Sequence, residues 1–381
     1  MYTDGTILFL PANTHSLNIS NEERLRAAIC QALLIHPSTI TLRAFPMRAV
    51  FFKGKDHPLI VQEIKKFKPV KDQVLIRLHN AALNHRDIWT WREQNNVSAD
   101  GIILGSDGCG IIEGVGEDAD PLLIGLEVII NPSLEWGNNP IVQGNSFRIL
   151  GYPDHGTFSD YIVISKKYVF EKPEHLSFAE SAAVPLSGLT AYRALFSKAR
   201  LRAKEKVLIT GVGGGAALWA LQFAVAYQGR VYATSGSDEK LSKAKELGIL
   251  GGFNYKDSEW SQKALKESGG GFDIIIDSAG GKEFSKLIDL ALPGGRIVNF
   301  GRTAGNISDI STRLLYWKQI SIHGTTMGTR DEFLSMLDFL ESRHIKPIID
   351  KTFPLEETGE AIHRMEQGNQ FGKIVLQISK K

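Results

Sequence analysis

The residues best suited to chemistry lie in one run, Lys206-Val207-Leu208-Ile209-Thr210-Gly211-Val212-Gly213-Gly214-Gly215-Ala216-Ala217. An apolar stretch enters a glycine turn, and a segment carrying Leu221, Phe223 and Ala224 leaves it. Glycines let the backbone turn sharply and approach a pyrophosphate, and free N–H groups at the start of the following helix meet the negative charge. The run fits G-x-G-x-x-A through Gly211, Gly213 and Ala216, and equally G-x-x-G-x-x-A through Gly211, Gly214 and Ala217. The last position is small in both registers, which permits close packing of helix on strand. Other α/β folds also contain glycine turns. Here a strand before, a helix after and a second strand from Arg230 to Thr234 select a dinucleotide site.

That second strand ends Val231-Tyr232-Ala233-Thr234-Ser235-Gly236-Ser237. A unit built for NAD carries an acidic residue there for the ribose 2′-OH. No carboxylate stands at this strand end. The small residues leave room for a 2′-phosphate, and Ser235 and Lys240 supply a donor and a positive charge. The expected cofactor is NADPH. Two alternatives stay open: Lys240 as an ordinary solvated helix residue, and Asp238 as a ribose ligand.

These groups need a scaffold, and the hydrophobic pattern describes one. Strands are expected near Val207, Val231, Phe272, Arg296 and Ile320, with helices near 215–228, 238–247, 258–268 and 282–291. Such alternation argues for a parallel sheet covered on both faces. From residue 47 to about 170 the chain is instead rich in short strands, among them Arg48–Phe52, Gln73–Leu78 and Glu127–Ile130. Ser177-Phe178-Ala179-Glu180 reads as a capping box. The tail holds a helix over 331–343, a segment from Leu355 to Gly368 and a final strand from Lys373 to Ile378. Residues 1–46 read differently, with a short amphipathic helix from Glu22 to Ile35. They are taken as a peripheral extension, or as sequence upstream of a natural start at Met47, which an intact-mass measurement would decide.

Composition excludes several function classes. The 44 basic and 42 acidic residues leave a formal charge of +2, which gives no electrostatic reason to expect nucleic acid or an anionic membrane. No apolar stretch is long enough to cross a bilayer. Cys30 and Cys109 match no metal-ligand spacing and fit a reducing, cytoplasmic setting.

From Met47 onward the chain resembles the medium-chain dehydrogenase/reductase superfamily, and most closely its zinc-free, quinone oxidoreductase-like branch. An ordered series of motifs carries the resemblance: Ala82-Leu83-Asn84-His85-Arg86-Asp87, Leu104-Gly105-Ser106-Asp107-Gly108-Cys109-Gly110, Gly156-Thr157-Phe158-Ser159-Asp160-Tyr161 and Ala182-Ala183-Val184-Pro185-Leu186-Ser187-Gly188-Leu189-Thr190. After the glycine turn come Asp277-Ser278-Ala279-Gly280-Gly281, Gly294-Gly295-Arg296-Ile297-Val298 and Phe371-Gly372-Lys373-Ile374-Val375. The resemblance implies an α/β fold: a GroES-like, strand-rich catalytic domain (47–175 and 328–381) and an inserted Rossmann domain with a doubly wound parallel sheet (176–327). It implies nicotinamide and substrate in the cleft between them, Thr190 and Gly301 beside the nicotinamide, and Tyr255 joining Ser235 and Lys240 around the adenosine phosphate. It also implies a homodimer.

In zinc-dependent relatives a cysteine would fall at Asn84, a histidine at Ser106, a glutamate at Asp107 and a last cysteine near Leu186. Amide, hydroxyl and alkyl groups do not replace such ligands, so no metal is expected. His85 and Asp87 are read as supporting hydrogen-bonding groups and Cys109 as core. The implied reaction is hydride transfer to a quinone, enone or similar conjugated carbonyl, whose enolate needs only hydrogen bonds for stabilisation. Asn84 is a candidate donor, Asp87 belongs to the same stretch, and Trp89, with Trp91 beyond, stands where quinone-reducing relatives often carry tyrosine. Walls for a flat substrate and plain core packing are both open to the two tryptophans. Two other readings compete: a zinc-type alcohol dehydrogenase with a rearranged site, and an NADPH-binding protein with little turnover.

Overall fold

The computed structural model describes residues 46–379 apart from 56, 95, 96 and 98–100. The helix expected over Glu22 to Ile35, the question of the leader and Cys30 lie outside the described residues.

Six parallel strands form one sheet in the order Gly251–Asn254, Arg230–Ser235, Lys206–Ile209, Phe272–Asp277, Ala291–Asn299, Ser321–Gly324. This is the doubly wound order of a Rossmann sheet. Val207, Leu208, Ile209, Ile274, Ile275 and Ile276 are buried, so these strands read as continuous apolar runs covered on both faces. The helices Gly215–Ala226, Asp238–Glu246, Trp260–Ser268 and Phe284–Leu290 occupy the expected stretches. The strand order reverses between Lys206–Ile209 and Phe272–Asp277, which opens a crevice at their carboxyl ends.

Two elements of this half were not anticipated. Gly251–Asn254 begins with two glycines and carries little strand signal, and its pairing with Tyr232 to Ser235 makes it a strand. Thr312–Trp317 is a six-residue helix capped by Ser311.

The second sheet has seven strands, mostly antiparallel. Gln73–Ala82 lies at its centre, flanked by Asp107–Val115, Tyr161–Ser165 and Lys373–Gln377. The chain's last described strand is therefore hydrogen-bonded to one of its first, with Val375 opposite Ala82. Ile349–Pro354, another strand absent from the sequence reading, pairs in parallel with Lys373–Gln377. The expected capping box is present: Ser177 N donates to Glu180 Oε2 at 2.7 Å, and Glu180 N to Ser177 Oγ at 3.3 Å. Trp219, Phe223 and Phe333 anchor the larger apolar core, and Phe52, Ile76 and Phe158 the core under the second sheet. Among the described residues, no helix is long and apolar enough to cross a membrane.

Candidate active site

The crevice deepens into a cleft of about 770 Å³ lined from both sheets. Its floor is the glycine turn. Gly211 and Gly213 have φ of +67° and +129°, whereas Gly214 is extended at −79°. The strict need for glycine therefore falls on the G-x-G register. The helix starts at Gly215, so its first N–H groups lack intrahelical acceptors and are available to an anion. Two lysine stems crowd the turn: a Cβ on Gly213 would lie 2.8 Å from Lys240 Cδ, and one on Gly215 would lie 2.7 Å from Lys373 Cδ.

Tyr255 and Lys240 line one end of the cleft. Tyr255 lies over Gly236, where a Cβ would meet its hydroxyl at 2.6 Å. Lys240 Nζ donates to Gly368 O at 2.6 Å. Asp238, the carboxylate that would favour an unphosphorylated ribose, accepts from Asn254 Nδ2 at 2.9 Å and does not line the cleft.

The other end is built from charged side chains. Asn84 caps the helix His85–Glu93. Its Nδ2 donates to Asp107 Oδ2 at 2.9 Å, and its Oδ1 accepts from Lys373 Nζ at 2.7 Å. Lys373 Nζ also donates to Asp107 Oδ2 at 2.9 Å and to Leu83 O at 2.7 Å, so all three ammonium hydrogens are taken. Asp107 Oδ1 accepts from Leu186 N at 2.9 Å. Arg86 donates from Nη1 to Ser106 Oγ at 2.8 Å and to Leu150 O at 2.9 Å, and from Nη2 to Tyr152 O at 3.3 Å. Thr190 Oγ1 donates to Leu186 O at 2.8 Å. Gly301 sits so close to Ser278 that a Cβ would lie 2.2 Å from its carbonyl oxygen.

Of the residues singled out from sequence, Asn84, Trp89, Thr190, Gly211, Gly214, Gly215, Ala216, Lys240, Tyr255 and Gly301 line this one cleft. Asp87, Gly213 and Ser235 do not. Gly213 lies beneath Lys240. Ser235 is buried, its Oγ accepting from Ser237 N at 3.4 Å. Asp87 is buried and accepts from Asn84 N at 2.8 Å, which makes it a support for Asn84. Loss of solvent pushes the Asp87 carboxyl up to about 6. The His85 side chain makes no hydrogen bond to the described residues, unlike the supporting role expected of it. Loss of solvent around its ring, then Lys373, lower its pKa and keep it neutral near pH 7. The tryptophans divide: Trp89 lines the cleft, whereas Trp91, two residues on and so across the helix, packs against the core. Cys109 is fully buried, as a core residue would be.

The donor set does not fit zinc. Where relatives place ligands, this chain offers an amide, a hydroxyl and Leu186, and its one carboxylate, Asp107, is already paired with an ammonium. Among the described residues no group of three His, Cys, Asp or Glu side chains converges. Lys373 and Arg86 escaped the sequence reading, although both lie inside its motifs. Arg86 had one signal, a cation beside Asp87, whereas Lys373 stands beside no candidate site residue in the sequence.

Comparison with known proteins agrees with this architecture. Residues 70–174 match the alcohol dehydrogenase GroES-like domain, and residues 215–342 match the zinc-binding dehydrogenase family. The chain is 36% identical over 368 residues to the zinc-type alcohol dehydrogenase-like protein YogA of Leptosphaeria maculans, covering 90% of this chain and 100% of the relative. It is 30% identical over 341 residues to human quinone oxidoreductase, covering 87% and 96% of the two chains. A solved NAD-dependent alcohol dehydrogenase superposes with a TM-score of 0.83 at 33% identity, covering 87% of this chain and all of that one.

Proposed function

We propose a function on the premise that this chain belongs to the medium-chain dehydrogenase/reductase superfamily, a family of oxidoreductases that bind a nicotinamide cofactor: it reduces a quinone, enone or similar conjugated carbonyl with NADPH and without a metal. The observation that carries the reading is the Lys373 ammonium, 2.7 Å from Asn84 Oδ1 and 2.9 Å from Asp107 Oδ2, at positions where zinc-dependent relatives hold ligands. A Lewis acid would have to displace a buried, fully hydrogen-bonded cation. Reduction of a simple carbonyl gathers charge on one oxygen and benefits from a metal, whereas a conjugated acceptor spreads that charge and needs only well-placed donors.

Bound in the cleft, NADPH would supply the hydride. The glycine turn and the first N–H groups of Gly215–Ala226 would hold the pyrophosphate. Lys240 and Tyr255 would hold the phosphorylated ribose, and Lys240 would exchange the Gly368 carbonyl for phosphate; Ser235, buried outside the cleft, would support the turn through Ser237 N. Thr190 and Gly301 would flank the nicotinamide, and Trp89 would wall a flat acceptor. Because Lys373 fixes Asn84 Oδ1 and Asp107 takes one Nδ2 hydrogen, the second Nδ2 hydrogen is left for the substrate oxygen. Solvent would provide the proton. A homodimer and a cytoplasmic setting belong to the same reading. The first is supported by the edge strand Ser321–Gly324 and by Trp317, which is 78% exposed.

The test is cofactor oxidation by purified protein over a panel of quinones and enones, with NADPH and NADH compared and metal content measured. Turnover with NADPH, favoured at least about tenfold over NADH and insensitive to chelation, is expected from one charge-assisted contact. Stoichiometric zinc whose removal abolishes activity would overturn the metal-free mechanism. Tight NADPH binding with silence across the panel would leave a nucleotide-binding protein without this reaction.

A further inference from the structure

We propose that Arg86 is a catalytic residue of this site, donating from its guanidinium to the substrate oxygen on which negative charge gathers; the inference rests on the reductase reading above. Arg86 lines the same cleft as Asn84, Trp89 and Thr190. Ser106 Oγ, Leu150 O and Tyr152 O hold one side of its guanidinium. Ser106 Oγ itself donates to Leu150 O at 2.7 Å, so this anchor is already committed. Among the described residues, Nε and one Nη2 hydrogen remain without a partner. Nε is also not among the sealed-off polar atoms that lack a hydrogen bond, so it faces accessible space.

The charge balance around Arg86 points the same way. The sequestered cations Lys172, Arg193 and Lys373 each touch a carboxylate. Arg86 forms no ion pair among the described residues. Asp87 and Asp107 act on it only at longer range. A half-buried guanidinium without a counter-charge among the described residues is a cost to the fold. The cost is recovered when a partner arrives bearing negative charge, and in this reaction that partner is the product of hydride transfer. The group is fixed before reaction, which is what makes such donors effective.

The step balances without an added reagent. Hydride and its electron pair leave NADPH, giving NADP⁺, and form a bond to the β-carbon of the acceptor. The Cα–Cβ π pair shifts to make an enolate, or a hydroquinone anion when the acceptor is a quinone. Its oxygen accepts from Arg86 Nε–H and Asn84 Nδ2–H. Arg86 keeps its proton throughout, and water protonates the anion.

The variants Arg86→Met and Arg86→Lys test this in the full chain. Arg86→Met is expected to lower kcat about 100- to 1,000-fold, as loss of an oxyanion donor does elsewhere, with NADPH affinity unchanged. Lysine restores the charge but not the planar fork, so Arg86→Lys should recover only part of the loss. A purely structural defect in the 148–152 segment would slow every acceptor alike. Loss of an oxyanion donor instead slows most those quinones whose reduced anions are most basic. A second readout needs no turnover: p-nitrophenolate binding to the NADP⁺-loaded protein, followed by its absorbance, with nitrobenzene as the neutral control. Arg86→Met should weaken the phenolate roughly tenfold or more and leave nitrobenzene unaffected. Unchanged phenolate affinity, or an equal loss of rate across all quinones, overturns the proposal. If the wild-type chain reduces no acceptor the reductase reading fails, and phenolate binding still decides whether Arg86 forms an anion site.

Discussion

Two arginines within one molecule meet opposite fates. Arg193, which opens the π-helical segment Arg193–Lys198 continuing Pro185–Tyr192, is 2% exposed, and its Nη1 donates to both Glu332 oxygens at 2.7 and 2.6 Å. Its Nη2 donates to Pro140 O and Ile141 O at 2.9 and 2.8 Å, and the guanidinium lies 4.7 Å from the Trp136 ring centroid. The segment carrying Trp136, Pro140 and Ile141 is thereby pinned to the helices beneath it. Arg86 likewise holds backbone carbonyls but has no carboxylate and no closed aromatic face among the described residues. A sequestered charge whose cost is met by its neighbours holds structure together. One whose cost is left open at a cleft wall is where a ligand's charge belongs.

The largest effect that would sharpen this contrast is on stability. Arg193→Met should cost about 3–5 kcal/mol of unfolding free energy, because it strands the Glu332 carboxylate, and should leave NADPH affinity intact. Denaturant unfolding and cofactor titration check both halves. Arg86→Met should raise the reaction barrier by about 2.7–4 kcal/mol. Its toll on stability should be only about 1 kcal/mol for each hydrogen bond to a carbonyl that the substitution removes. If both variants unfold alike and Arg86→Met keeps its kcat, the contrast collapses.

Next in size is a pH effect at Asp87. Its carboxyl is pushed from 3.8 up to about 6, so the folded chain holds a proton there that the unfolded chain has released. The stability this confers is fully present below about pH 4 and is lost as pH rises through about 6, a change of up to about 3 kcal/mol. Asp87→Asn keeps an oxygen for Asn84 N and removes this slope. Chemical denaturation of both proteins across that range should therefore show the difference between them changing with pH. At the nucleotide end, Lys240→Gln should weaken NADPH about 10- to 100-fold and leave NADH within about twofold, read by fluorescence titration. Gly236→Ala should have the smallest effect. Its Cβ would come within 2.6 Å of the Tyr255 hydroxyl, and Tyr255, 47% exposed, has room to shift at the cost of a few-fold in NADPH affinity.

The nucleotide end was far more legible in the sequence than the reaction end. Gly211 and Gly213 announce positive φ by being glycine, and the alternation of strand and helix around them announces the crevice. Ser177 and Glu180 announce a helix start three residues apart. Gly251–Asn254 went unread because its strand character comes from a neighbour rather than from its own residues. Trp89 and Trp91 were indistinguishable until the helix from His85 placed them on different sides.

What the sequence determined by itself was the class of fold, the glycine turn and the non-ligand side chains of Asn84, Ser106 and Leu186, positions that only the family resemblance marks as zinc-ligand positions. These follow from conformational demands and side-chain chemistry that act within a few residues. Only the tertiary structure decided that Lys373 stands against Asp107, 266 positions away, and that Arg86, beside Ser106, has no counter-ion among the described residues. The physical reason is that an ion pair depends on strand register across the sheet. Lys373 reaches Asn84 because Lys373–Gln377 pairs with Gln73–Ala82, and that pairing is set by two hydrophobic faces meeting in a common core.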